Sequence, residues 1–134
     1  ELTRLLGEAG RTFENLSAVW RHANIARRRK HEIFDAVVTT KLLYGLDSLW
    51  LLKADRGKLD GFYVRCLRRI FGIKHAYYSR VSNASVLETA DRAPLSRQLL
   101  AKQLQTYGKI ARQPLASHAR RVLFEGASLR LRWW

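Results

Sequence analysis

Arginines and lysines set at helical spacing on two segments are the residues of this chain best placed to do chemistry. Lys58, Arg65, Arg68 and Arg69 recur at steps of seven, three and four that share one side of a helix, and Lys102, Lys109 and Arg112 repeat the pattern further along. Cations arrayed in this way neutralise phosphates. Each contact releases a counterion and positions a nucleic acid without reading its bases. Arg80, close after Tyr77 and Tyr78, adds a cation beside two rings able to stack on an unpaired base, although two tyrosines in a loop more often pack back onto a core.

Catalytic groups are harder to assemble. His31, Glu32 and Asp35 in HEIFD approach the helical zinc pattern H-E-x-x-H, but Asp35 stands where the second histidine is needed. No cysteine or nearby histidine completes a ligand set, so no metal and no cofactor is expected. The segment reads as a hydrated helix start with its carboxylates near the positive end of the dipole. Tyr44-Gly45-Leu46-Asp47 has a passing likeness to the polymerase signature Y-x-D-D. Two-metal phosphoryl transfer, however, requires adjacent carboxylates on a hairpin, and here Leu46 fills the first of those positions within a helical stretch. His22, His75 and His118 lie far apart and read as surface or rim histidines. No catalytic residue is expected in this chain, and hence no enzyme activity of its own.

Charge narrows the choice of partner. Lys and Arg number 25 against 11 Asp and Glu, a formal charge of +14 on 134 residues, which favours a polyanion such as nucleic acid over an anionic membrane surface. With 47% hydrophobic residues, the chain is expected to fold as a single helical domain over 1–134. Lys41, Asp47 and Lys53 interrupt the longest apolar run, so no membrane span or membrane partner is expected. The chain has no Met and is expected to be a piece of a longer protein. Cys66 is alone, which excludes an internal disulfide and suits a reducing compartment, nucleus or cytoplasm; among Phe62, Leu67 and Ile70 it reads as a small buried hydrophobe.

The elements that must position these residues follow from apolar spacing. Leu2, Leu5, Leu6, Ala9, Phe13, Leu16, Trp20 and Ala23 form one stripe, and a second helix is expected from the Arg27–Lys30 cluster to about Leu52. A third begins near Asp55 and stops at Gly72; residues 75–82 read as a loop; Asn83 or Ser85 caps a short helix. Pro94 opens an amphipathic helix that runs to about Arg112, and a last helix covers Ser117 to Phe124. Trp20, Leu42, Tyr44, Trp50, Leu67, Ile70 and Leu104 are expected in the core. The expected fold class is all-α, an irregular bundle of five to six helices.

Several of these segments carry a resemblance in a consistent order. Lys41 to Leu52, KLLYGLDSLWLL, resembles an L-L-Y-G-x-E type helix, and Phe62 to Ile73 fits F-x-x-R-x-L-R-x-I-x-x-I. Phe13, Leu16 and Trp20 fit F-x-x-L-x-x-x-W; Arg80 to Leu87 fits R-x-[ST]-N-x-x-V-L; Gln103 to Arg112 is similar to Q-L-x-x-x-G-H-[IV]-x-R, with Lys109 in the histidine position. Together they resemble the region that follows the palm in reverse transcriptases of non-LTR, LINE-like retrotransposons. The resemblance implies a thumb and connection region that grips a template–primer duplex of RNA or DNA beside a palm domain outside this chain. It implies a non-catalytic part of an RNA-directed DNA polymerase, and the charge pattern gives Lys58, Arg65, Arg68, Arg69, Arg80, Lys102, Lys109 and Arg112 as the residues expected to face nucleic acid. Asp47 departs from the family's glutamate. The competing expectation is a helical interaction module that docks on a partner domain, its charge serving solubility.

Overall fold

The computed structural model describes residues 1–22, 24–125 and 128–129. The fold is all-α: α1 (Leu2–Asn15), α2 (Ser17–Arg21), α3 (Arg27–Phe34), a π-helical turn (Asp35–Thr39) leading into α4 (Thr40–Leu46), α5 (Lys53–Phe71), α6 (Ala76–Ser79), α7 (Asn83–Thr89), α8 (Leu95–Ala111) and α9 (His118–Leu123). Strand pairing among the described residues is limited to Phe124 opposite Leu129 and Glu125 opposite Ser128. The helical pieces outnumber the five or six expected, because the first apolar stripe is broken at Leu16 into α1 and α2, and the single turn of α6 is too short to show a period. The chain packs as two compact units, Glu1–Leu99 and Leu100–Trp134.

The first unit is organised around α5. Leu59, Phe62, Tyr63, Val64, Cys66, Leu67 and Ile70 are all buried, more than one stripe can hold, so other helices must cover this one from several sides. Phe13 of α1, Trp20 of α2 and Phe34 of α3 supply an aromatic cluster. Phe13 stacks on Trp20 at 5.0 Å, while Phe34 meets the two edge-on at 5.7 and 6.3 Å. The Trp20 indole N–H donates to the Phe13 carbonyl at 2.8 Å, and the buried Lys30 ammonium donates to the Trp20 carbonyl at 2.8 Å, so neither polar group is left orphaned. Asp60 accepts from both the backbone N–H and the hydroxyl of Ser96, which fastens the first turn of α8. Burial pushes the Cys66 thiol up to about 12, in keeping with an inert core cysteine.

Two glycines have positional reasons. A Cβ at Gly45 would sit 2.9 Å from the Leu5 side chain, so the glycine lets α4 lie close against α1. Gly72 takes φ 68°, the left-handed conformation that closes α5, with the N–H of Ile73 returning to the Arg68 carbonyl at 2.8 Å.

Three expected core residues lie outside. Tyr44 and Leu104 are exposed, and so is Trp50, at 72%. The second helix ends at Leu46, not Leu52, and the chain from Asp47 to Leu52 leaves the helix before α5 begins. Apolar spacing cannot mark that end, since Leu49, Trp50, Leu51 and Leu52 continue the hydrophobic run straight through it. The HEIFD segment is also less wet than expected. His31 is buried, with its Nε2 3.8 Å from Asp35 and its ring 6.0 Å from Phe71, while Arg92 holds Asp35 at 2.8 Å.

Leu67 has no exposure, so Leu67→Ala is expected to lower unfolding free energy by about 2 to 5 kcal/mol in denaturant titrations, whereas Trp50→Ala leaves it nearly unchanged. A second expectation concerns pH. Burial holds the His31 imidazole below its ordinary value of 6.5, with Asp35 opposing this and Arg92 adding to it. The unfolded chain then binds the proton more tightly, so this contribution to stability is complete above pH 6.5 and is lost as pH falls below it. Melting temperature should therefore drop on going from about pH 7 to 5, and His31→Gln should flatten that slope.

Candidate nucleic-acid interface

The regular spacing on α5 sends neighbouring cations to different fates. Leu59, Val64, Leu67 and Ile70 fix the rotation of the helix, and that rotation leaves Lys58, Arg65 and Arg69 exposed while turning Arg68 inward. Arg68 is thus not on the outer face where the spacing placed it. Its guanidinium donates to the carbonyls of Lys74 at 3.0 Å and Val81 at 2.6 Å and to Asn83 Oδ1 at 3.1 Å. Arginine suits this task because its planar fork reaches several acceptors at once. Its side chain closes both ends of the 74–83 segment against α5.

Arg69 is exposed but already engaged. Its two terminal nitrogens donate to the Glu14 carboxylate on α1, and the guanidinium lies 5.0 Å from the Phe13 ring centroid. That hydrogen bonding holds the Glu14 carboxyl below the usual carboxylate range. Lys58 is 3.6 Å from Asp55 one turn earlier, an exposed pairing that water and salt weaken. Arg65 extends from the same helix with no carboxylate of the described residues paired to it.

Beside these cations lies an open groove of about 630 Å³. Thr3 and Leu6 of α1 form one wall, Lys58, Gly61, Val64, Arg65 and Arg68 of α5 the floor, and His75, Ala76 and Asn83 the other wall. Among the described residues no acidic side chain lines it, so the groove has one sign of charge. Backbone phosphates fit such a surface: a fork from Arg65, a point charge from Lys58 and polar groups from Thr3 and Asn83. Thr3 and His75 carry no sequence signal of this role, because they reach the groove only through the packing of α1 and the 74–83 segment on α5.

The remaining candidates fall elsewhere. Arg80 follows α6 and takes the left-handed conformation at φ 58°, with its guanidinium 5.7 Å from the Tyr77 ring. Tyr77 and Tyr78 are exposed, contrary to the commoner expectation that they pack inward. Lys102 and Lys109 on α8 and Arg112 just after it belong to the second unit and do not line the groove. Lys109 and Arg112 are exposed and Lys102 is half-buried, and the Arg112 guanidinium lies over Gly108. The described residues hold no group of three or more His, Cys, Asp or Glu able to bind a metal ion, and no helix among them is long and apolar enough to cross a membrane.

Comparison of the chain with known protein families, with curated proteins and with solved structures finds no match.

The different fates of Arg65 and Arg68 are separable by experiment. Arg68→Ala removes the guanidinium from three acceptors, of which only the Lys74 carbonyl keeps another donor, the Ser79 hydroxyl, and should destabilise the chain by at least about 2 kcal/mol in thermal or denaturant unfolding. Arg68→Lys should recover little of it, since an ammonium cannot span that set of acceptors. Arg65→Ala should unfold like the parent chain. Equal stability of all three variants would show that Arg68 does not hold the 74–83 segment.

Proposed function

We propose that this chain is a non-catalytic, helical nucleic-acid-binding region that grips a template–primer duplex by its phosphates, as the region after the palm does in the non-LTR retrotransposon reverse transcriptases it resembles. The observation that carries this reading is the groove lined by Lys58, Arg65, Arg68 and His75 without an acidic residue among those described. The net charge of +14 and the ordered series of motif likenesses support it.

In this reading Arg65 and Lys58 contact phosphates directly, while Arg68 holds the groove wall in place. Arg69 is in a weaker position, because a phosphate must displace or share it with Glu14. Lys102, Lys109 and Arg112, in the second unit, are a separate set of cations able to meet phosphates. Polymerisation belongs to carboxylates of a palm outside this chain. Magnesium- or manganese-dependent nucleotide incorporation that is abolished by changing a residue of this chain would overturn the non-catalytic reading.

A second reading is a helical module that docks on a partner domain. The apolar residues left outside favour it: Trp50 and Leu52 in the first unit, and Leu100, Leu104 and Tyr107 at four- and three-residue steps along α8 in the second. A palm domain beside the chain is one partner that such surfaces would suit.

The phosphate grip has a quantitative signature. Roughly five contacts on B-form DNA give a slope near −4.5 of log affinity against log salt, with little dependence on sequence. Lys58→Ala with Arg65→Ala should flatten that slope by about two units. Arg27→Ala with Arg28→Ala removes the same charge from α3 and should change the slope less. Equal losses in the two double variants would mean that net charge alone attracts nucleic acid and that the groove is not the site.

A further inference from the structure

The tip of the 74–83 segment has features that phosphate binding does not use. Tyr77 and Tyr78 stand on the single turn of α6 with 69% and 76% of their surface exposed, edge to face at 5.2 Å and 90°. Two adjacent tyrosine rings facing solvent forgo the burial that normally holds such residues inside. Arg80 lies 5.7 Å from the Tyr77 ring, on a left-handed backbone that a residue with a Cβ adopts at some cost.

The tip is also held firmly. Arg68 fastens the segment at Lys74 on one side and at Val81 and Asn83 on the other. Within it, His75 Nδ1 accepts from the Tyr77 N–H at 3.2 Å, and the Ser79 hydroxyl donates back to the Lys74 carbonyl at 3.0 Å. A backbone held in this way spares part of the ordering cost when a planar ligand stacks on the rings it carries.

We propose that Tyr77, Tyr78 and Arg80 form a stacking platform for one unpaired nucleobase, on a strand whose phosphates lie in the adjoining groove. The proposal rests on the nucleic-acid reading above and adds to it a site for a base. Continuity selects the occupant: His75 and Ala76 line the groove and lead directly into Tyr77, so a strand leaving the cations Lys58 and Arg65 meets the rings next. Within a duplex both faces of each base are covered by its neighbours; a terminal pair keeps one outer face but its bases stay held in the pair, whereas an unpaired base is free to turn onto the rings. An acidic peptide would satisfy the cations but gives the paired rings no planar partner. The platform thus recognises a single-strand–duplex junction, with little preference for base identity because every base has such a face.

The test compares a blunt duplex with the same duplex carrying a short single-stranded extension, on the full chain, with 2-aminopurine as the first unpaired base. The chain should bind the extended form more tightly and quench the 2-aminopurine. Tyr77→Ala and Tyr78→Ala should weaken binding of the extended form by about 5- to 150-fold and relieve the quenching, while leaving blunt-duplex affinity unchanged. Tyr77→Phe and Tyr78→Phe should retain both properties, which separates stacking from loss of fold. Equal binding of the two duplexes by the parent chain, or equal weakening of both by the alanine variants, overturns the platform. Lys58→Ala with Arg65→Ala reports separately on the groove. If it weakens blunt-duplex binding while the tyrosine variants do nothing, the platform fails alone; if quenching depends on the tyrosines but blunt binding ignores Lys58 and Arg65, the phosphate grip fails and the platform stands.

Discussion

The burial of α5 is the constraint on which the first unit depends. Eight of its nineteen residues are buried, spread too widely for one covering helix, so α1, the α3–α4 arm, α7 and the start of α8 must all pack around it. Removing that much apolar surface from water at about 25 cal/mol per Å² outweighs any single surface interaction in the unit. Positions that follow from it include the rotation of α5 about its axis. That rotation decides which arginine faces solvent and which faces the core.

Charge is consequently divided between holding the fold and facing outward. Arg65, Arg68 and Arg69 lie within five positions, yet one is open beside the groove, one is hydrogen-bonded to three acceptors and one is tied to Glu14 on α1. Lys30 shows the same division, with its ammonium on the Trp20 carbonyl while Arg27, Arg28 and Arg29 beside it stay exposed. A charge of +14 thus overstates the cations free to meet a polyanion. What concentrates the field is the absence of acidic residues among those described along the groove.

The exposed apolar residues fall into two kinds. Tyr77 and Tyr78 are amphipathic rings on a segment pinned at both ends by Arg68, a geometry suited to stacking. Trp50, Leu52, Leu100, Leu104 and Tyr107 are the exposed side chains on which the proposed docking of a partner domain rests. In α8 the apolar stripe is buried where it belongs to the first unit, at Leu95 and Leu99, and exposed beyond it.

By itself the sequence determined the helical class, most helix positions, the inert burial of Cys66 and the core role of Trp20, Leu42, Leu67 and Ile70, because apolar spacing at three and four residues is a local property. It could also show that cations gather on α5. Tertiary structure alone decided that Arg68 turns inward, that Tyr44, Trp50 and Leu104 stay outside, and that Thr3 and His75 join Lys58 and Arg65 along one groove. A helical period tells which residues share a face, but a face becomes buried only when another element covers it. For Arg68 that element is the 74–83 segment, whose carbonyls can receive the guanidinium only after the chain has turned back at Gly72 and crossed α5.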